Sequence, residues 1–404
     1  MKPVRHQVCH NWHTAMNSLG SLTKPARVLT LSRPLQSLCQ HAGNRTGYAS
    51  RAYSSLSHTD SQSPSLKYKL VRGRFLTYNT MRSMQSVPTK SPHALTEGRV
   101  AYSTEATVAG EPTVHAVFEK KTGTWQYVVA DPSTLAAAII DPVLDYDPAT
   151  QVITTSSADS LLSLVKDKGY KVDRILETHA HADHLTAASY LQKRLTEIQG
   201  GKPPIGIGKR IGQVQRLFGQ RYAVPPDEYK VVFDTLFNDD EQFNIGDLTV
   251  TAMHLPGHTP DHLGYKVGDN VFCGDSLFHT DIGTARCDFP GGSAHSLFNS
   301  GRKLLSLPDH VKIWTGHDYP PEDREAPIPW LSVQEHKKHN RHLKDGITED
   351  EFVSLRNERD TKLGEPRLLH QSLQVNIRAG QLPKPTESGH RMLHLPLKLK
   401  DTIW

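Results

Sequence analysis

From about residue 112 onward, apolar and polar positions follow a regular rhythm. The runs at 114–118, 125–129 and 137–140 are apolar or alternating and are parted by turn residues at Gly123 and Asp131-Pro132, which predicts an antiparallel meander. Leu161, Leu162 and Val165 recur at helical spacing and predict a helix over 158–168, capped by the serines before it and ended by Gly169. An apolar run at 174–176 predicts a buried strand. Then come a helix over 185–198 with Leu185, Tyr190, Leu191 and Leu195 on one face, a strand at 205–207 and a short helix over 211–218. The pattern returns to β at 241–245, 248–255, 263–267, 271–275 and 311–314, with turns at Gly246-Asp247 and Gly268-Asp269-Asn270.

Four of these strands end on metal-ligating residue types. The run at 174–176 delivers His179, His181, Asp183 and His184 just as it ends. His258 follows the break at Pro256-Gly257, Asp275 stands just past an apolar run, and His317 follows the strand at 311–314. Neutral imidazole and carboxylate are the ligands that Zn(II), Fe(II) and Mn(II) select. A single histidine at a strand end is ordinarily structural, but four such ends in one chain argue for a shared centre. Two sheets meeting along one edge, with helices outside, would gather the loops, so the fold class is α/β, a four-layer αββα sandwich.

Charge divides the chain. The first 96 residues hold 13 Lys and Arg and one acid, Asp60, whereas the remaining 308 carry 34 basic and 41 acidic groups. An Arg-rich, Ser-rich, acid-poor start has the composition of an organellar transit peptide, with Arg51-Ala52-Tyr53-Ser54-Ser55 resembling a mitochondrial processing site cut after Tyr53. The expected domains are therefore a transit peptide at 1–53, a flexible linker or arm at 54–111, a catalytic domain at 112–320 and a C-terminal extension packing on it at 321–404. The acidic body opposes phosphate-backbone binding, and no run of 18 apolar residues exists to span a membrane. Cys9, Cys39, Cys273 and Cys287 cannot form a disulfide framework and suit a reducing compartment.

The motif Thr-His-x-His-x-Asp-His at 178–184, Pro-Gly-His-Thr at 256–259, Gly-Asp-Ser-Leu-Phe at 274–278 and Gly-His-Asp-Tyr at 316–319 resemble the ordered metal motifs of the metallo-β-lactamase superfamily. Within it the chain most resembles the persulfide dioxygenases, the mitochondrial sulfur dioxygenase group, with glyoxalase II next. The segment 283–292, Gly-Thr-Ala-Arg-Cys-Asp-Phe-Pro-Gly-Gly, is similar to the Gly-x-x-Arg-x-Asp-Phe string of the dioxygenases, and 372–380 is similar to the ending of their bacterial and fungal relatives.

The resemblance implies one Fe(II) per chain on His179, His258 and Asp275, a facial triad with open positions. His181, Asp183, His184 and His317 are then a second metal site or outer partners, and the glyoxalase II alternative would fill both sites with a Zn(II) pair. The implied reaction oxidises glutathione persulfide with O2 to sulfite and glutathione in the mitochondrial matrix. The substrate's two carboxylates need cationic partners, for which Arg286, Tyr319 and Arg378 are the candidates. A homodimer is one permitted assembly; nucleic acid and membrane are not expected partners. Cys287 beside Arg286 invites a thiol relay, although a metal site needs no thiol.

Overall fold

The computed structural model describes residues 101–105 and 108–400. The expected transit peptide at 1–53 and most of the linker lie outside them. In chain order the strands are β1 (Ala101–Thr104), β2 (Thr113–Glu119), β3 (Thr124–Ala130), β4 (Ala136–Ile140), β5 (Val143–Asp147), β6 (Val152–Thr154), β7 (Lys171–Leu176), β8 (Leu185–Thr186), β9 (Ile205–Gly208) and β10 (Thr235–Phe237). They continue with β11 (Glu241–Ile245), β12 (Leu248–His254), β13 (Leu263–Val267), β14 (Asn270–Phe272), β15 (Lys312–Trp314) and β16 (Trp330–Ser332). The α-helices are α1 (Ser156–Lys168), α2 (Ala188–Gln199), α3 (Ile211–Arg221), α4 (Ala294–Leu305), α5 (Val333–His339), α6 (Glu349–Asp360) and α7 (Leu369–Asn376).

Two sheets make the inner layers. One runs β1-β2-β3-β4-β7-β9-β10 and the other β11-β12-β13-β14-β15-β16, with β6-β5-β8 as a small third. Alternate residues of each strand point to opposite sides and both sides are covered, so these strands read as unbroken apolar runs. On β3, Trp125, Tyr127 and Val129 enter the core between the sheets, whereas Val128 and Ala130 join α1, α2, α3 and α7. On the second sheet Phe272 and Trp314 face inward, while Val271 and Ile313 pack with Leu297 of α4, Val333 of α5 and Phe352 of α6. The result is the expected αββα sandwich.

Several local expectations need correction. Ala101–Thr104 pairs antiparallel with β2, so the first sheet begins inside the stretch expected as linker. Residues 185 and 186 are not helical: they pair with Leu144 and Val143, and α2 starts only at Ala188. The serines before α1 do not cap it; the Ser157 N–H and hydroxyl donate to Asp145 at 2.8 and 2.7 Å instead. Gly169 does end α1, at φ 69°. The C-terminal part extends the second sheet through β16 and seats α7 beside β8 and α3.

Candidate metal centre

The loops after β7, β12, β14 and β15 meet at one edge of the sandwich. In the first, the Thr178 N–H and hydroxyl both donate to the Asp141 carboxylate, at 2.7 and 2.8 Å. With its proton so committed, Thr178 Oγ1 accepts from His179 Nδ1 at 2.9 Å, which leaves His179 Nε2 as a bare lone pair. Asn376 of α7 closes the loop from behind, donating to the carbonyls of His181 and His184 at 2.7 and 2.8 Å and accepting from Thr186 N–H at 2.8 Å.

His258 donates from Nδ1 to the Arg286 carbonyl at 2.8 Å, so its Nε2 is also free; that atom lies 3.6 Å from Asp275 Oδ2. His179 Nε2 is 4.0 Å from the same oxygen. The Asp275 N–H donates to buried His262 Nε2 at 2.9 Å; burial first, then His258 and His181, hold His262 well below its ordinary pKa, so it stays an acceptor. Gly316 completes the approach, since a Cβ there would stand 2.4 Å from Asp275 Oδ1.

His179, His258 and Asp275 each present one ligand atom within 4.8 Å of the others. Burial above all, then the neighbouring imidazoles, hold His179 well below its ordinary pKa, the neutral form a metal requires. His179 Nε2, His184 Nε2 and Asp275 Oδ1 are buried without hydrogen-bond partners. Orphaned acceptors in such number fit a cation, because a buried polar atom left unmet is costly.

His181 belongs to a different set. Its Nε2 reaches Asp141 at 3.1 Å and Glu177 at 3.2 Å. Asp183 Oδ2 is shared by His184 Nδ1 at 2.9 Å and His317 Nε2 at 3.3 Å. Burial opposes protonation of His317, yet the carboxylates of Asp275 and Asp183 push it up to about 9. Its Nδ1 donates to the Gly123 carbonyl at 3.2 Å, tying the β2–β3 turn to the fourth loop.

The family model described as "Metallo-beta-lactamase superfamily" matches residues 121–317. A "Beta-lactamase hydrolase-like protein" of Xylella fastidiosa is 42% identical over 315 residues, which cover 77% of this chain and 71% of that protein.

The chain belongs to the metallo-β-lactamase superfamily.

Among relatives within it, "Glyoxylase B2" of Dictyostelium discoideum is 42% identical over 282 residues, 69% of this chain and 94% of that protein. The mitochondrial "Persulfide dioxygenase ETHE1" of Bos taurus is 26% identical over 284 residues, 69% and 94% of the two chains. The crystal structure of ETHE1 from Myxococcus xanthus superposes with a TM-score of 0.53 at 26% identity, covering 66% of this chain and 99% of that one. This superfamily member thus carries metal-binding His and Asp clusters on the family's four-layer frame.

A cavity of about 370 Å³ opens onto the centre. Asp183, His258, Asp275 and His317 form its floor, and Phe278 and Tyr319 supply apolar surface, the Tyr319 ring stacking on His317 at 5.7 Å. Arg286 reaches this wall, but its guanidinium is held by Asp288 at 2.5 Å and by the Gly364 carbonyl at 2.8 Å. Arg378 does not reach it. It is buried behind α7, paired with Glu228 at 2.8 Å and bonded to the Gln374 carbonyl, which makes it a structural ion pair rather than a substrate contact. Cys287 lies outside this cavity and burial pushes its thiol up to about 12, against the relay. Cations that the sequence reading passes over do line the wall: Lys121 on the β2–β3 turn, Arg359 on α6, and Arg367. Only the fold reveals Arg359 and Arg367, because the stretch 320–370 has no motif that points to the cavity.

Proposed function

We propose that this chain is a persulfide dioxygenase that takes glutathione persulfide and O2, with one Fe(II) on His179, His258 and Asp275, in the mitochondrial matrix. The observation that carries this reading is the convergence of those three ligand atoms while His181 is turned to Asp141 and Glu177. Two histidines and one carboxylate on one face suit non-haem iron. Bound there, ferrous iron supplies the one-electron exchange with O2 that a closed-shell persulfide lacks. In the overall change the terminal sulfur loses four electrons to O2, water provides the third oxygen, and sulfite and glutathione leave with two protons.

The chain's own groups orient the substrate. Asp141, through Thr178, fixes His179, and the Arg286 carbonyl fixes His258. Buried Phe278 and the ring of Tyr319 offer apolar surface to the sulfur end, while Lys121, Arg359 and Arg367 offer positive charge to the carboxylates of the tripeptide. The acid-poor N-terminus supports the matrix address.

A second reading, thioester hydrolysis at a dinuclear site of the glyoxalase II type, is favoured by the grouping of His181, Asp183 and His184 next to the triad. Oxygen uptake by anaerobically purified, iron-loaded protein on adding glutathione persulfide, with S-lactoylglutathione hydrolysis assayed on the same sample, separates the two. Oxygen consumption with sulfite release and no thioester cleavage is the expected result. Thioester cleavage without oxygen uptake would transfer the assignment to the hydrolase.

A further inference from the structure

We propose that α6, part of the stretch 320–370 to which no sequence motif assigns a role, is an outer clamp on His258, with Asp360 as its positioning residue. The inference rests on His258 being a metal ligand.

Residues 284–287 pass along the cavity wall outside any strand or helix, and side chains hold their backbone polar groups. The Thr284 N–H donates to His342 Nδ1 at 3.1 Å, and the Thr284 carbonyl accepts from Arg356 at 3.4 Å. The Cys287 N–H donates to Asp360 Oδ2 at 2.8 Å. The fourth hold is the Arg286 carbonyl, which accepts from His258 Nδ1 at 2.8 Å. Three of the four anchors thus come from residues 342–360, and the fourth is the ligand itself.

The segment has no slack. A Cβ on Gly283 would meet His342 Nδ1 at 2.4 Å, and one on Gly292 would meet the Cys287 carbonyl at 2.3 Å and the His258 carbonyl at 2.9 Å. Arg356 and Asp360, one helical turn apart, form an ion pair buried to 1% and 7% exposure. An isolated buried pair tends to cost more in desolvation than it returns, unless further hydrogen bonds satisfy it. Here those bonds go to the backbone on either side of Arg286. The Arg286 carbonyl therefore stands where α6 puts it, and it fixes both the tautomer and the ring plane of His258. The partner of a ligand histidine's second nitrogen governs metal affinity in this way.

The test is Zn(II) affinity of the full chain, by competition with a chromophoric chelator, together with the visible spectrum of the Co(II) form and the melting temperature of the metal-free protein. Asp360→Ala is expected to weaken Zn(II) binding roughly ten-fold and to shift the Co(II) bands, and Asp360→Asn, which keeps an acceptor for the Cys287 N–H, to recover most of the affinity. Phe352→Ala is the packing control: Phe352 of α6 is buried against Phe298 of α4 and makes no hydrogen bond to residues 284–287, so its loss should lower the melting temperature and weaken affinity far less than Asp360→Ala does. If Asp360→Ala does not fold, His342→Leu removes the acceptor of the Thr284 N–H and should give the same loss. Wild-type affinity in the anchor variants, or an equal loss in Phe352→Ala, overturns the clamp. Wild-type affinity in His258→Ala would instead place the failure in the ligand assignment.

Discussion

Thr178 and Asp141 are joined twice, backbone N–H to one carboxylate oxygen at 2.7 Å and hydroxyl to the other at 2.8 Å. The pairing spends the hydroxyl proton on Asp141, so toward His179 the Thr178 Oγ1 can only accept. Thr178→Val keeps the shape and removes the acceptor. The expected outcome is a ~10- to 100-fold loss of metal affinity together with a lower melting temperature, since the buried Asp141 carboxylate also loses a donor. Metal retention after dialysis against a chelator reads it, and undiminished retention would mean the tautomer of His179 is set elsewhere.

The cavity wall carries two kinds of cation. Arg367 and Lys121 have no ion-pair partner among the described residues, whereas Arg286 is already held by Asp288. Arg367→Ala should raise KM for glutathione persulfide by ~10-fold or more, the worth of a hydrogen bond to a charged group, with kcat little changed. Arg286→Ala should raise it less. Arg378→Ala should leave KM alone and lower stability, since it removes the partner of half-buried Glu228 and the bond to the Gln374 carbonyl. A KM unmoved by Arg367→Ala, or moved by Arg378→Ala, contradicts this division.

Gly316 is needed for space beside Asp275. Its carbonyl accepts from Trp125 N–H at 2.8 Å and its N–H donates to the Gly274 carbonyl at 2.8 Å, so the backbone cannot retreat from an added methyl. Gly316→Ala should displace the Asp275 carboxylate and cost at least ~10-fold in metal affinity, while Gly364→Ala, which meets nothing within 4 Å, should be neutral. Equal behaviour of the two variants would count against the tight fit.

Acid should loosen the first sheet through His115. Its Nδ1 pairs with Ser103 of β1 at 2.7 Å and its Nε2 with Tyr170 at 2.9 Å. Burial, and secondarily Lys168, lower its pKa to about 4, below the ordinary value of 6.5. The unfolded chain therefore binds the extra proton first. The contribution is whole above about pH 6.5 and is lost as pH falls toward about 4, up to about 3 kcal/mol in all. Urea midpoints from pH 7 to pH 4 should fall less steeply for His115→Gln than for the wild type, and parallel slopes would rule His115 out.

Strands were legible in the sequence where turns bound them on both sides. β11 and β13 begin and end as the residue pattern predicts, since Gly246-Asp247 and Gly268-Asp269 close them. Leu185 was not legible: its apolar spacing suits α2, and only pairing with β5, which the pattern does not foresee, holds it extended. Helix α4 is missing from the expected elements, although Ser293 caps it and Leu297, Leu304 and Leu305 share its buried face. The metal loops could be read because each carries its ligands locally. The clamp could not, because Asp360 acts on Cys287 across 73 positions of sequence. For Arg378 the motif was visible but its direction was not, and burial against Glu228 decides it.

In the proposed dioxygenase a single metal is held by His179, His258 and Asp275, with His181 and the Asp183–His184–His317 group as its outer partners. Metal analysis of the full chain, purified anaerobically and quantified per chain, tests it most directly. One iron per chain is expected in the wild type and none in Asp275→Ala; two metal ions per wild-type chain would rule out the mononuclear site and make Asp183, His184 and His317 ligands of a second one.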